Sequence, residues 1–117
     1  MTKKATIWHY PRCSKSRKTL ALLEEKDLEL TIRNYRDDPP DIETLRQAIQ
    51  KLEISPAELV RKKDKAYKEL EINAGEMTDD DWLELLAENP ALLERPIVLT
   101  EKGAVIGRPP ENVEDLF

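Results

Sequence analysis

The order of apolar and polar residues predicts alternating strands and helices in the first third of the chain. Residues 5–8 (Ala-Thr-Ile-Trp) predict a strand, and Pro11 ends it. Residues 16–26 have the spacing of a short amphipathic helix, and helical sequence begins at Ser14. In the next predicted strand, three apolar residues alternate with polar ones: Leu28, Leu30 and Ile32. Strand, helix and strand in this order predict a right-handed βαβ unit.

The middle of the chain has helical spacing. Asp41 is a suitable N-cap for a helix whose apolar residues recur at helical intervals: Ile42, Leu45, Ile49 and Leu52. The capping-box spacing of Ser55 and Glu58 predicts a second helix that runs to Arg61, so that Arg61 is expected at its C-terminal end. Thr78 and the three acids after it predict a third helix, which ends near Pro90.

The last part of the chain predicts a β-hairpin. Residues 97–100 and 104–107 are mostly apolar and flank Glu101-Lys102-Gly103, and a short terminal helix is expected after Pro110. We therefore predict one α/β domain over residues 1–117. It combines the βαβ unit and the hairpin in a four-stranded mixed sheet, with a helical insertion at about residues 41–94. This arrangement is compatible with a thioredoxin-like fold.

The charges of the chain are unevenly distributed. The 117 residues include 19 basic and 24 acidic side chains, a net charge of −5 that does not suggest a nucleic acid or an anionic membrane as partner. Residues 1–23 nevertheless contain basic side chains and no acid. Lys3 and Lys4 lie near the N-terminus and are interpreted as solvated side chains. The other four basic residues surround Cys13 in the sequence: Arg12, Lys15, Arg17 and Lys18. We predict a local anion site there.

Cys13 is the only cysteine and falls where the first helix is expected to begin. The unpaired N–H groups and positive dipole end of a helix favour a thiolate.

A single cysteine cannot form an internal disulfide, and no run of residues resembles a signal peptide or a membrane span, so a cytoplasmic protein is expected. His9 is the only histidine, so we expect no bound metal and no bound cofactor.

Several of these residues form a set that resembles a known family. The pattern His9-x3-Cys13-x3-Arg17, the later Arg61, the Arg95-Pro96-Ile97-Val98 segment and Gly107-Arg108-Pro109 are similar, in this order, to the glutaredoxin-linked arsenate reductase (ArsC) family of the thioredoxin-like superfamily. The similarity extends over nearly the whole chain.

The resemblance implies a function and a set of site residues. Cys13 matches the nucleophile that attacks arsenate, glutathione would be the co-substrate that reacts with the adduct, and glutaredoxin would reduce the mixed disulfide. Three arginines match the oxyanion-binding set: Arg61, Arg95 and Arg108. His9, Ser16, Arg17 and Pro96 are assigned supporting positions. Since thioredoxin-like proteins commonly place a cis-proline opposite the active cysteine, we also predict a cis Arg95–Pro96 bond.

Two departures from the family pattern leave alternatives open. Tyr10 stands where many members have Asn, and the chain stops at Phe117 without the longer C-terminal extension of some members. It thereby resembles the short, less characterised branch of the family, whose physiological substrate is open.

Ser16 replaces the second cysteine of dithiol oxidoreductases, which also fits a monothiol exchange enzyme acting on glutathionylated proteins. A third alternative, ranked below both enzymes, is a regulator like Spx, which contacts RNA polymerase.

Overall fold

The computed structural model describes residues 3–116. The strands of this part of the chain are β1 (Lys3–His9), β2 (Leu28–Asn34), β3 (Ile97–Thr100) and β4 (Ala104–Ile106). Its α-helices are α1 (Ser14–Glu24), α2 (Ile42–Leu52), α3 (Lys65–Glu69) and α4 (Asp79–Glu88). Short 3₁₀-helices cover Pro56–Leu59, Ala74–Glu76, Pro90–Leu92 and Pro110–Leu116. No helix within residues 3–116 has the length and apolarity that crossing a membrane requires.

The strands form one sheet in the order β2-β1-β3-β4. β1 is parallel to β2 and antiparallel to β3, and β3 is antiparallel to β4, which confirms the predicted four-stranded mixed sheet. His9 pairs with Asn34 and Trp8 pairs with Ile97. The residues that follow β1, the residues that follow β2 and the residues that precede β3 therefore lie at the same edge of the sheet.

The chain divides into two compact units, the first of which contains the sheet. This unit comprises Met1–Asp38 and Arg95–Phe117. Its core consists of buried apolar side chains from β1, α1, β3 and the C-terminal 3₁₀-helix: Ile7, Leu23, Val98, Val113 and Leu116. α1 begins at Ser14, where helical sequence was expected to begin, and ends at Glu24, two residues before the end of the predicted amphipathic segment 16–26. The alternation predicted in β2 holds for Leu28 and Leu30, which are partly buried, whereas Ile32 is 50% exposed.

The second unit, Pro39–Glu94, is helical, as predicted for the middle of the chain. The Asp41 side chain accepts the N–H of Thr44 and caps α2, and Thr78 and Asp81 form a reciprocal capping box at the start of α4. Its core is built from buried apolar residues: Leu45, Ala48, Leu59, Val60, Trp82, Leu83, Leu86, Leu92 and Leu93.

The prediction for Arg61 was wrong in its local structure. The capping box of Ser55 and Glu58 is present, but the 3₁₀-helix ends at Leu59 and Val60 forms an isolated antiparallel bridge with Leu93. The N–H of Arg61 donates to the carbonyl oxygen of Leu92 at 2.7 Å. Arg61 therefore follows a bridge between two extended segments and is not the last residue of a helix. The bridge is a non-local contact that the local sequence does not reveal.

Candidate active site

Cys13 is the N-cap residue of α1. Its backbone is extended (φ −93°, ψ 122°), and its N–H donates to the carbonyl oxygen of Tyr10 at 3.0 Å. Pro11 lies inside this turn, at the position that favours its fixed φ. The turn therefore ends β1 and places the thiol at the first turn of the helix, as the sequence predicts.

The pKa of the Cys13 thiol is lowered from its ordinary value. Burial acts in the opposite direction and raises the pKa, but several groups that favour the thiolate outweigh it. They are, in order, the backbone N–H of Ser16, the guanidinium of Arg95 as a hydrogen-bond donor, the backbone N–H of Lys15 and the charge of Arg95. The sulfur makes no close capping hydrogen bond, as expected of a weak acceptor. The helix N-terminus and one arginine thus activate this cysteine.

Arg95 reaches Cys13 from the segment just before β3. Its guanidinium is partly buried, which lowers its pKa, but Tyr35 and Cys13 more than compensate, so the pKa of Arg95 is raised. The guanidinium carbon lies 4.8 Å from the ring centroid of Tyr10. The Nε atom of Arg95 is buried without a hydrogen-bond partner among residues 3–116. Arg95 is therefore held beside the thiolate by Tyr10 and Tyr35.

Tyr10 and Tyr35 lie beside Arg95, and Arg36 lies over the Tyr10 ring; the sequence predicts a role in the site for none of the three. Tyr35 is 1% exposed and its ring meets that of Tyr10 edge-on, with 6.5 Å between the centroids. The guanidinium carbon of Arg36 lies 4.7 Å from the Tyr10 centroid. Their position directly after β2 is the signal that could have identified Tyr35 and Arg36. The parallel strands β1 and β2 bring their C-terminal ends to the same edge of the sheet, where Cys13 follows β1.

His9 and Ser16 hold the turn in place. The Ser16 Oγ lies 2.7 Å from the His9 Nδ1 and accepts the N–H of Tyr10 at 3.0 Å, and the Ser16 side chain is fully buried. The pKa of His9 is lowered, mainly by burial and next by the charge of Arg17, while Glu24 acts in the opposite direction. The Nδ1 atom of a neutral His9 can accept a hydrogen bond from the Ser16 hydroxyl. The serine that replaces a second cysteine thus links the end of β1 to the start of α1.

Arg17 and Pro96 also lie in this unit. The Arg17 Nη1 donates to the carbonyl oxygen of Pro11 at 2.8 Å and so stabilises the turn before Cys13. The Arg95–Pro96 bond is cis, which confirms that prediction, and the Arg108–Pro109 bond is cis as well. The carbonyl oxygen of Pro96 accepts the N–H of Gly107 at 2.8 Å.

The two other predicted oxyanion ligands are not shown in contact with Cys13. Arg108 is exposed, and its backbone carbonyl accepts the Asn112 side chain at 3.2 Å. Arg61 belongs to the helical unit, where its Nε lies 3.7 Å from a carboxylate oxygen of Asp64 and its Nη1 is buried without a hydrogen-bond partner among residues 3–116. Their roles in binding an oxyanion stay predictions. Within the same residues, no three His, Cys, Asp or Glu side chains lie together as a metal site.

Comparison with known proteins places this site in a family. The ArsC family profile matches residues 8–116. The arsenate reductase of Neisseria meningitidis serogroup A is 46% identical over 109 residues, which are 92% of this chain and 93% of that protein. The uncharacterized protein YfgD of Escherichia coli K12 is 43% identical over 117 residues, covering 99% of this chain and 98% of YfgD.

A solved structure gives the same result for the fold. The arsenate reductase from Vibrio cholerae superposes with a TM-score of 0.95 at 37% identity, covering 100% of both chains. The predicted thioredoxin-like fold is thereby confirmed. From the profile match, the identities and the superposition it follows that the chain belongs to the ArsC family.

Proposed function

We propose that this protein is an arsenate reductase in which Cys13 is the nucleophile, glutathione is the co-substrate and glutaredoxin is the final reductant. The observation that carries the proposal is the pairing of Cys13 with Arg95 at the N-terminus of α1. A thiolate and an anionic electrophile repel each other. A guanidinium between them offsets that repulsion and can bind two oxygens at once. Relatives that are named arsenate reductases support this assignment.

The proposed reaction conserves atoms and electrons. The Cys13 thiolate attacks arsenic, an S–As bond forms, and one arsenate oxygen leaves as water after protonation. A glutathione thiolate then attacks the Cys13 sulfur, the S–As bond breaks, and its electron pair stays on arsenic. Arsenite leaves, and Cys13 and glutathione remain as a mixed disulfide. A glutaredoxin thiolate attacks the glutathione sulfur and returns Cys13 as a thiolate.

The described side chains have distinct roles in this scheme. Arg95 stabilises the thiolate, and its guanidinium would bind the arsenate oxygens. The exposed guanidinium of Arg108 is a second candidate oxyanion ligand. His9 and Ser16 keep the turn before Cys13 in one conformation. The role of Arg61 stays a prediction that its own variant tests.

An assay of arsenite formation with glutathione and glutaredoxin tests the proposal. Cys13→Ser should abolish activity, and Arg95→Ala should lower kcat about 100-fold or more, as expected when one preorganised donor is removed. Arg108→Gln and Arg61→Gln test the other two arginines. Arg46→Gln, which changes an exposed arginine of the helical unit, is the matched control and should leave activity unchanged. If the wild-type protein forms no arsenite above the blank, the arsenate assignment is rejected.

The second candidate function is monothiol exchange on glutathionylated substrates. It is favoured by the single activated cysteine, since exchange needs a low thiol pKa and no oxyanion. A wild-type protein that removes glutathione from a model peptide disulfide but forms no arsenite would identify this function. Arg108→Gln should then have no effect, because no oxyanion takes part.

A further inference from the structure

The outer edge of β2 has no strand partner within residues 3–116, because β2 is the first strand in the order β2-β1-β3-β4 and pairs only with β1. β2 has seven residues and contains neither glycine nor proline. The strand at the opposite edge of the sheet, β4, has only three residues. Edge strands are usually short or interrupted, since a row of N–H and C=O groups can pair with another chain. The edge of β2 is therefore long enough to accept a further strand.

β2 carries both apolar and charged side chains that reach solvent. Ile32 is 50% exposed. The Glu29 side chain is 65% exposed, and its carboxylate lies 3.9 Å from the Lys4 Nζ, a pair of the kind that contributes little at a surface. The Arg33 Nε donates to the Asp38 carbonyl oxygen at 3.0 Å and lies 3.4 Å from the Asp38 carboxylate. Because a guanidinium has five N–H donors, it can bind a second carboxylate as well.

The sequence of β2 is complementary to itself in the antiparallel direction. A two-fold axis at Thr31 matches all seven residues of one strand with the seven of a second copy. Glu29 then faces Arg33 of the second copy, Leu30 faces Ile32, and symmetry repeats both contacts. Opposite charges and apolar side chains that face each other stabilise an antiparallel pair. Moving the axis by one residue leaves two residues of each strand unpaired and separates Glu29 from Arg33.

We propose that the edge of β2 binds a second copy of this chain in this register, so that the two four-stranded sheets become one continuous sheet. The matching strand needs a cation and an anion four residues apart, on one face and in the reverse order of Glu29 and Arg33. A second copy supplies this pattern and covers the exposed Ile32 with Leu30. The pairing uses neither Cys13 nor the arginines of the proposed reaction, so it is independent of the proposed function.

Charge reversal tests the two ion pairs, with sedimentation velocity as the measurement. Glu29→Arg would oppose two arginines and Arg33→Glu two glutamates, so each variant should raise the Kd of the dimer about tenfold or more. An equimolar mixture of the two variants should form a heterodimer with about the wild-type Kd, because each cation again faces an anion. Glu101→Arg and Lys102→Glu change exposed residues of the turn between β3 and β4 by the same charges. As matched controls, alone and mixed, they should leave the Kd unchanged.

Disulfide cross-linking tests the register. In a Cys13→Ser background, Thr31→Cys should form a cross-linked dimer when oxidised by O₂ with copper phenanthroline. Its two thiols face each other at the axis, with Cα atoms about 4.5–5.5 Å apart. Glu29→Cys on the same strand should not cross-link, because the two substituted positions are four residues, about 14 Å, apart along the strands.

Three outcomes would overturn the proposal. The first is a wild-type protein that stays monomeric up to about 1 mM, including one whose β2 pairs only with a different protein. The second is a dimer that neither charge reversal weakens, which would mean that the copies meet through another surface. The third is equal cross-linking at positions 29 and 31. Recovery of the dimer on mixing the two charge variants excludes misfolding as the cause of the loss.

Discussion

The guanidinium carbon of Arg95 lies over the ring of Tyr10, 4.8 Å from its centroid, and the same guanidinium stabilises the Cys13 thiolate. Tyr10 is the residue at which the sequence departs from the Asn of many family members. An aromatic ring attracts a guanidinium through its electron-rich face and restricts its movement. Tyr10 is therefore a positioning residue that acts on the thiol through Arg95.

Replacing the Tyr10 ring should change the titration of Cys13. Tyr10→Leu keeps an apolar side chain but removes the electron-rich face, so we expect the pKa of Cys13 to rise. Tyr10→Phe keeps the face and should leave the pKa near that of the wild type. The rate of iodoacetamide alkylation against pH gives the pKa of each protein. Equal pKa values in Tyr10→Leu and Tyr10→Phe would mean that the ring does not position Arg95.

Arg95 and Arg17 should differ in their effect on the thiol. Arg95→Gln removes a hydrogen-bond donor and a charge from the thiolate, so the pKa of Cys13 should rise. Arg17 is much closer to Cys13 in sequence than Arg95 is, but it directs its guanidinium to the Pro11 carbonyl. Arg17→Gln should therefore change the pKa of Cys13 much less. Alkylation rates that shift more in Arg17→Gln than in Arg95→Gln would contradict this assignment.

The anion site that the basic cluster around Cys13 predicts stays a prediction, and the causes that lower the pKa of Cys13 include none of the four charges of that cluster. The sequence predicts that the helix N-terminus stabilises the thiolate. The helix N-terminus is confirmed through the N–H groups of Lys15 and Ser16, whereas the main cation is Arg95. Only the family resemblance connected Arg95 with Cys13 in advance, because the pairing of β1 with β3 brings them together and local patterns carry no such information.

The same distinction applies to the fold. The caps at Asp41 and Thr78 were predicted because capping depends on residues within one turn. The bridge that redirects Arg61 and the place of Tyr35 beside Arg95 depend on residues far apart in sequence. Local chemistry therefore predicts where elements begin, and strand register decides which side chains meet at the site.

Gly107 should tolerate no side chain. A Cβ added there would lie 2.7 Å from the Thr19 Oγ1 and 2.8 Å from the Pro96 Cγ, closer than real contacts allow. Overpacking of this kind usually costs about 1–3 kcal/mol, so Gly107→Ala should lower the free energy of unfolding by that amount. Urea denaturation measures it as a lower midpoint with an unchanged slope.

A second glycine provides the control for this test. A Cβ at Gly75 would have its nearest neighbour, the Asn73 Oδ1, at 3.6 Å, which is an ordinary contact. Gly75→Ala should therefore leave stability unchanged or raise it by about 0.4–1 kcal/mol through the reduced entropy of the unfolded chain. Equal losses in the two variants would show that the approach of Thr19 and Pro96 to Gly107 is not the cause.

His9 should make the stability of the protein depend on pH below about 6.5, the ordinary pKa of a histidine. Its folded-state pKa is lowered, chiefly because the ring is buried. As the pH falls below 6.5, the unfolded chain takes up a proton at His9 before the folded chain does. The free energy of unfolding therefore decreases until the pH reaches the folded-state pKa, and the full stability is present only above about 6.5.

The variant His9→Asn isolates this effect from the titration of the carboxylates. Asn can place a polar atom near the position of the His9 Nδ1, where the Ser16 Oγ lies 2.7 Å away, but it does not titrate. The wild type should lose its stability advantage over His9→Asn as the pH is lowered from 7.5 to 5, which urea midpoints at each pH would measure. Because both proteins share the same carboxylates, a difference that stays constant over this range would mean that His9 does not bind the extra proton on unfolding.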